Sequence, residues 1–496
     1  MLRKIRIALA CVFWLGITAL FLDFSGTVHA WLGWMAKVQF IPALLALNAG
    51  VVLALVALTF VFGRVYCSVI CPLGVMQDAF ARLGRIGRRR RNRYSYSKPL
   101  TWLRIASLVV FAALLAAGLA AFAAFLEPYS IYGRIAASFL TPLWVWGNNI
   151  LARVAEHYDS YAFYSVDLWM RGLTALIPAG VMLVLTGVLA WRNGRTYCNA
   201  VCPVGTVLGF ISRYSLFRPV IDTSKCNGCG LCARRCKGAC IDSKAHAIDY
   251  SRCVACMDCI GNCRQGAISY SRRRFSGVGA DDDAEATDAG RRAFVIGAAT
   301  VAATAAVSAQ KAKVDGGLAV IADKKVPVRA VPVLPPGAVG LTHFSRRCTA
   351  CQLCVSVCPN GVLRPSSDPA RLMQPECSYE RGYCRPECTR CSEVCPAGAI
   401  RPVTAAEKTA IQRGHAVWLK DNCVVLSDGV SCGACARNCP AGAITMIHSV
   451  TGDDASPEIP AVDSERCIGC GKCENLCPAR PFSAIYVEGN TRHREI

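Results

Sequence analysis

Cys226-Asn-Gly-Cys229-Gly-Leu-Cys232-Ala-Arg-Arg-Cys236 decides what kind of domain this chain contains. Three thiolates within seven residues can wrap one corner of an iron–sulfur cube, while a fourth, after a gap of three, points away toward the cluster of a partner motif. The C-x2-C-x2-C-x3-C spacing recurs at Cys253/Cys256/Cys259/Cys263, Cys348/Cys351/Cys354/Cys358 and Cys467/Cys470/Cys473/Cys477. Zinc needs two cysteine pairs and gains nothing from a third close thiol. A disulfide framework has no reason to repeat this interval.

Two further motifs are stretched in the first arm. Cys384/Cys388/Cys391/Cys395 widens the first gap by one residue, and Cys423/Cys432/Cys435/Cys439 replaces it with a loop. Both keep the C-x2-C-x3-C-P ending followed by Ala-Gly-Ala-Ile, which predicts a turn leading into a short strand. Six [4Fe–4S] clusters follow, two in the middle of the chain and four at its end. Cys11, Cys240 and Cys377 are left over, with Cys377 competing with Cys384 as first ligand of its motif.

The 53% hydrophobic content of these 496 residues is too high for a wholly soluble cluster protein. The excess lies in uncharged runs at Ile7–Leu22, Val38–Gly63, Ile105–Leu126, Gly172–Trp191 and Ala293–Gln310. Each approaches the roughly 20 residues a spanning helix needs. Ile135–Ala152 is also uncharged, but Pro142, Gly147 and two asparagines predict a segment lying against the outer surface.

The net charge of +22 is polarised: residues 1–280 hold 31 Lys/Arg against 10 Asp/Glu, residues 310–496 hold 22 against 18. The Arg64–Arg104 stretch carries ten bases and one acid; Leu126–Gly172 carries three bases and four acids. The positive-inside rule then accounts for Arg88–Arg91 without nucleic acid, and puts the N-terminus and first cluster pair in the cytoplasm.

Arg291-Arg292-Ala-Phe294 precedes a mildly apolar, alanine-rich run, an internal twin-arginine-type signal. Clusters are built in the cytoplasm, so a cluster domain destined for the periplasm must cross already folded. The predicted fold class is thus a polytopic α-helical membrane domain of about five transmembrane helices with two α+β ferredoxin-like domains, one two-cluster and one four-cluster. The expected order is a membrane domain (1–215), a cytoplasmic two-cluster domain (216–272), a flexible linker (273–290), the signal segment (291–310), an extended tether (311–340) and a periplasmic four-cluster domain (341–496).

Cys67-x3-Cys71-Pro72 and Cys198-x3-Cys202-Pro203 follow the second and fourth apolar runs, each after a tyrosine, Tyr66 or Tyr197. Cysteines four apart share a helical face, so four thiols can meet at one level as a redox centre, as exchangeable disulfides or as buried structural residues. The seven histidines fall outside the apolar cores, which argues against haem. A mobile quinol is then the expected lipid-phase carrier, with the cysteine quartet as its contact to the cytoplasmic clusters.

Together these residues resemble a fusion of the membrane ferredoxin-type protein NapH with the exported four-cluster protein NapG; the MauN and MauM pair and nitrous-oxide-type regulators are similar in layout. The resemblance implies electron transfer in the inner membrane between the quinone pool and a periplasmic oxidoreductase, a nitrate-reductase-like system among them. A redox maturation factor for a periplasmic metalloenzyme is the competing reading. No nucleotide fingerprint or nucleophile elbow suggests other catalysis. Lys237 and Arg264 stand where the family has proline, so family potentials do not carry over. In the middle pair, Cys226/Cys229/Cys232 are expected to share a cube with Cys263, and Cys253/Cys256/Cys259 with Cys236. For the terminal domain the resemblance implies that motif one pairs with four and two with three, joining Cys348/Cys351/Cys354 to Cys477 and Cys384/Cys388/Cys391 to Cys439.

Overall fold

The computed structural model describes residues 2–23, 25–86, 94–160, 162–166, 172–272 and 322–496. Arg88–Arg91, the linker, the twin-arginine segment and the first part of the tether lie outside the described residues.

Helices α1 (Leu2–Leu22) and α2 (Ala49–Phe62) are followed by α3 (Val65–Val69), α4 (Pro72–Ile86) and α5 (Thr101–Ala116). Then come α6 (Pro128–Ile135), a π turn (Ala136–Leu140), α7 (Thr141–His157), α8 (Leu173–Asn193), α9 (Thr196–Ala200) and α10 (Pro203–Ser212). Among the described residues, α1 and α8, of 21 residues each, are the two helices long and apolar enough to cross a membrane. The other two expected spans are interrupted. Val38–Gly63 breaks at Leu47, whose φ is 58°, and Asn48 then caps α2 by accepting from the Val51 amide at 3.3 Å. Ile105–Leu126 ends its main helix at Ala116 and turns at Gly118, whose φ of 79° suits glycine. Four helices contribute to an outward apolar belt that includes Leu15 (59% exposed), Leu53 (67%), Val109 (60%) and Val184 (61%).

The Ile135–Ala152 segment departs from its expected surface position. It continues from α6, whose every residue is buried, through the π turn into α7, so its beginning lies inside the bundle. Pro128 at the first turn and Glu127, which accepts from the Tyr129 and Ser130 amides, start α6 at that depth.

The domain expected to hold two clusters, here the two-cluster domain, is closed by an antiparallel pair, Phe217–Ile221 with Ile268–Arg272, running Phe217↔Arg272 to Ile221↔Ile268. The terminal domain expected to hold four clusters, here the four-cluster domain, is built on three such pairs: Leu363–Pro365 with Pro375–Cys377, Ile411–Trp418 with Ile485–Glu495, and Ile444–His448 with Glu458–Val462. The Ala-Gly-Ala-Ile ending leads into a strand only after Cys439. After Cys395 the turn is followed by the helix Ala405–Ala410, begun by a Thr404/Glu407 capping box.

The two cluster domains cap opposite ends of the helix bundle. At the start of α1, Arg3 pairs with Asp258 of the two-cluster domain at 2.8 Å. At its far end, Phe21 packs with Gly133 against the carbonyl of Cys351 in the four-cluster domain. At 1.5 Å per residue these ends are about 30 Å apart. The other helices repeat the polarity. Phe60 at the end of α2 accepts from Leu216 at 2.9 Å, while Ala46, before its start, meets Gly398. Arg104 near the start of α5 binds Ser251, and Gly118 beyond its end meets Arg346.

Candidate redox centres

The ferredoxin-type cysteines stand around separate sites. Cys236, Cys253, Cys256 and Cys259 line one cavity. Cys232 lies beside Cys226 and Cys229, and Cys263 packs on the same small core. In the terminal domain Cys348, Cys351 and Cys354 gather with Cys395. Cys384, Cys388 and Cys391 line a cavity with Cys358. A third site gathers Cys423, Cys432, Cys435 and Cys477; a fourth, Cys439, Cys467, Cys470 and Cys473.

This grouping corrects the expected terminal pairing. Motif one exchanges its fourth cysteine with motif two, and motif three with motif four; Cys477 does not join Cys348, nor Cys439 join Cys384. The cause is local packing. Helix Leu353–Ser356 of motif one lies on Arg390–Glu393 of motif two, and Ala434–Arg437 of motif three on Lys472–Leu476 of motif four. Each fourth thiol reaches the neighbour its helix already touches.

Backbone amides meet several of these sulfurs. Ile400 donates to Cys395 Sγ at 3.5 Å, Ala443 to Cys439 Sγ at 3.3 Å and Ala484 to Cys477 Sγ at 3.3 Å. Hydrogen bonds to sulfur stabilise the more negative, reduced state of a cluster. Two sites carry a fifth thiol. Cys240 Sγ stands 3.4 Å from Cys236 Sγ, and Cys377 lines the Cys384 cavity beneath the buried Arg413, whose Nη1 is 3.9 Å from Cys377 Sγ. Both Cys377 and Cys384 thus reach the second terminal site. Arg413 escaped the sequence reading because it sits in a strand between two cysteine motifs, outside the spacing of either.

Among the described residues, no three His, Cys, Asp or Glu side chains come close enough to hold one metal ion. Thiols spaced around a cavity suit a multi-iron core and not a single tetrahedral zinc. The donor set fits iron–sulfur clusters.

The C-x3-C-P cysteines form a different kind of site. Cys67, Cys71, Cys198 and Cys202 are all buried in the bundle core, with Cys71 and Cys202 each beside Cys67 and Cys198. Around them the sequence repeats as Arg-x-Tyr-Cys-x3-Cys-Pro-x-Gly at 64–74 and 195–205. The two copies clasp each other: Arg64 Nη2 donates to the Cys198 carbonyl at 3.2 Å, and Arg195 Nη1 donates to the Cys67 carbonyl. Glycine makes room for each clasp, because a Cβ on Gly74 would lie 2.8 Å from Arg195 Nη1 and one on Gly205 2.8 Å from Arg64 Nη2. Both arginines are fully buried. Arg195 pairs with Asp78 at 2.9 Å, and Arg6 and Lys237 reach the same carboxylate. Burial pushes the Asp78 carboxyl up, but these cations overcome it and hold it below the usual range.

Thiol cages of this spacing on small two-stranded frames define an iron–sulfur electron-transport protein of the ferredoxin type. Families described as 4Fe-4S binding domains match residues 45–93, 172–222 and 343–364, and a 4Fe-4S dicluster domain matches 430–480. The methylamine utilization ferredoxin-type protein MauM of Methylophilus methylotrophus is 35% identical over 157 residues, covering 30% of this chain and 69% of that protein. The chain belongs to the family of ferredoxin-type proteins to which MauM belongs. The ferredoxin-type protein NapH of Haemophilus influenzae is 26% identical over 220 residues, 42% of this chain and 63% of NapH. An uncharacterized protein of Methanocaldococcus jannaschii is 37% identical over 94 residues, 19% of this chain; the chain spans 37% of that relative's length.

Proposed function

We propose that this protein is an inner-membrane electron carrier whose ferredoxin-type motifs hold six [4Fe–4S] clusters, linking the quinol pool to a periplasmic oxidoreductase. The observation that carries the reading is the placement of two cluster domains at opposite ends of one helix bundle with an apolar outer belt. A contiguous apolar surface of that kind needs covering, and a bilayer supplies about 30 Å of hydrocarbon, the length of α1. The charge bias supports a cytoplasmic two-cluster end and a periplasmic four-cluster end. Electrons then have to pass between carriers on two faces. The six sets of ligands are the cysteines grouped above, with Cys240 and Cys377 as fifth thiols at their sites.

The twin-arginine reading gives the test. Changing Arg291 and Arg292 to lysine should leave the two-cluster half inserted and keep the four-cluster half inside, so that protease added to spheroplasts no longer cuts it. The unchanged protein should be cut in its external domain. Protection of that domain in the unchanged protein overturns the topology. Normal export of the lysine variant overturns the export route.

A further inference from the structure

The inner quartet lies between the two cluster domains. On the cytoplasmic side, Arg64 Nη1 donates to the Ser251 carbonyl at 3.0 Å, and a Cβ at Gly63 would meet Ala255 at 4.0 Å, inside the loop that joins Cys253 to Cys256. On the other side, the hydroxyl of Tyr197, next to Cys198, donates to the Leu126 carbonyl at 3.0 Å. Glu127 follows and starts α6, on which Tyr129 lies beside Cys351 and Cys395, while Gly133 touches the Cys351 carbonyl. Contacts through side chains and backbone therefore link the Cys253 site, the quartet and the Cys348 site.

Charge says what the quartet holds. Arg64 is fully buried, and its partners are Asn199 Oδ1 at 2.9 Å, two carbonyls and the sulfur of Cys67 at 3.8 Å; its Nε has none. No carboxylate pairs with it among the described residues. Neutral thiols do not compensate a buried guanidinium, whose desolvation is costly without an opposite charge. Four thiolates around an oxidised iron–sulfur cube carry a net charge of roughly −2 and would. The neighbouring Asp78 is already shared by three cations. The segments matched to a 4Fe-4S binding domain, 45–93 and 172–222, contain these four cysteines and no others.

We infer that Cys67, Cys71, Cys198 and Cys202 hold a seventh iron–sulfur cluster that relays electrons through the protein between the two cluster domains. This rests on the proposed function only in requiring electrons to pass between the two ends. The step moves one electron and no atom: a reduced cluster at the Cys253 site is oxidised by one electron, and one iron at the quartet goes from ferric to ferrous. The quartet then returns to its starting state by reducing the cluster at the Cys348 site. The opposite direction uses the same ligands. No quinol has to carry the charge across.

The test combines iron content with a quinone-free crossing assay. Anaerobically purified protein should hold about 28 irons, and the Cys71→Ser/Cys202→Ser variant about 24, at four irons per cube. In sealed vesicles without quinone, dithionite outside, at the two-cluster face, should reduce the enclosed terminal clusters in the unchanged protein and not in the variant. Arg64→Gln should lower the midpoint potential of the additional centre, and Arg64→Lys should restore most of it; this pair decides the matter if the double variant does not accumulate. About 24 irons in both proteins, with titratable thiols or disulfides at the quartet, would overturn the seventh cluster. Terminal reduction that requires added quinone would overturn the relay. Loss of iron from the ferredoxin-type motifs themselves would instead count against the proposed function.

Discussion

At Gly205 the second C-x3-C-P repeat has space for nothing larger than hydrogen. A methyl there would strike the Cys198 carbonyl, which is backbone, and crowd the Arg64 guanidinium. Gly205→Ala should therefore cost about 1–3 kcal/mol, the usual range for overpacking a filled core. Gly147, in the middle of α7 with nothing within 4 Å of an added Cβ, is the control; alanine there should stabilise by about 0.5–1 kcal/mol. Thermal unfolding of the two variants in detergent, followed by helical signal, should move in opposite directions. Residues of this type mark the limit of what the sequence made legible. The cysteines announced themselves by interval. Arg64 and Arg195 did not, because an arginine at the end of an apolar helix already has a sufficient explanation in the positive-inside rule. Only the three-dimensional clasp shows that they are spent inside the bundle and not on lipid headgroups.

Among the elements, the short helices that follow each cysteine loop decide which motifs share clusters. Because Leu353–Ser356 packs on Arg390–Glu393, Cys351 and Cys395 belong to one site. Replacing Cys351 and Cys395 together by serine should thus remove about four irons, no more than the single change that empties the site. Replacing Cys351 and Cys477 together should remove about eight, at four per cube. Iron analysis of the two double variants separates this pairing from the one the family resemblance implied. Spacing could not have done so, since every fourth cysteine points away from its own motif in the same manner and the choice of neighbour is made by helix packing. The same limit applies to the apolar helices of the bundle. Of the four described apolar runs, two form continuous helices of spanning length, and the breaks at Leu47 and Gly118 in the other two occur where the terminal domain meets the bundle through Gly398 and Arg346. Composition carries no trace of that contact.

On the scale of the whole molecule, Arg134 ties the domain at one end to the helices beneath it. Its guanidinium is buried and donates to the carbonyls of Ala350 at 3.2 Å and Thr349 at 3.5 Å, with Phe125 stacked 4.3 Å away. Those carbonyls belong to the part of the chain that has to reach its place last. A bundle that never receives it leaves Arg134 without either acceptor, with the buried Glu127 carboxylate as its remaining counter-charge. The half-built protein is therefore left with unmet donors at that end, and quality-control proteases have an opening that the finished one denies them. A chain ending at residue 272 should accumulate to a lower level than the full chain, and Arg134→Leu should raise the short chain's level while lowering the full chain's. Pulse–chase turnover of the four proteins would show whether delivery of the last domain is what grants the helices their lifetime in the cell.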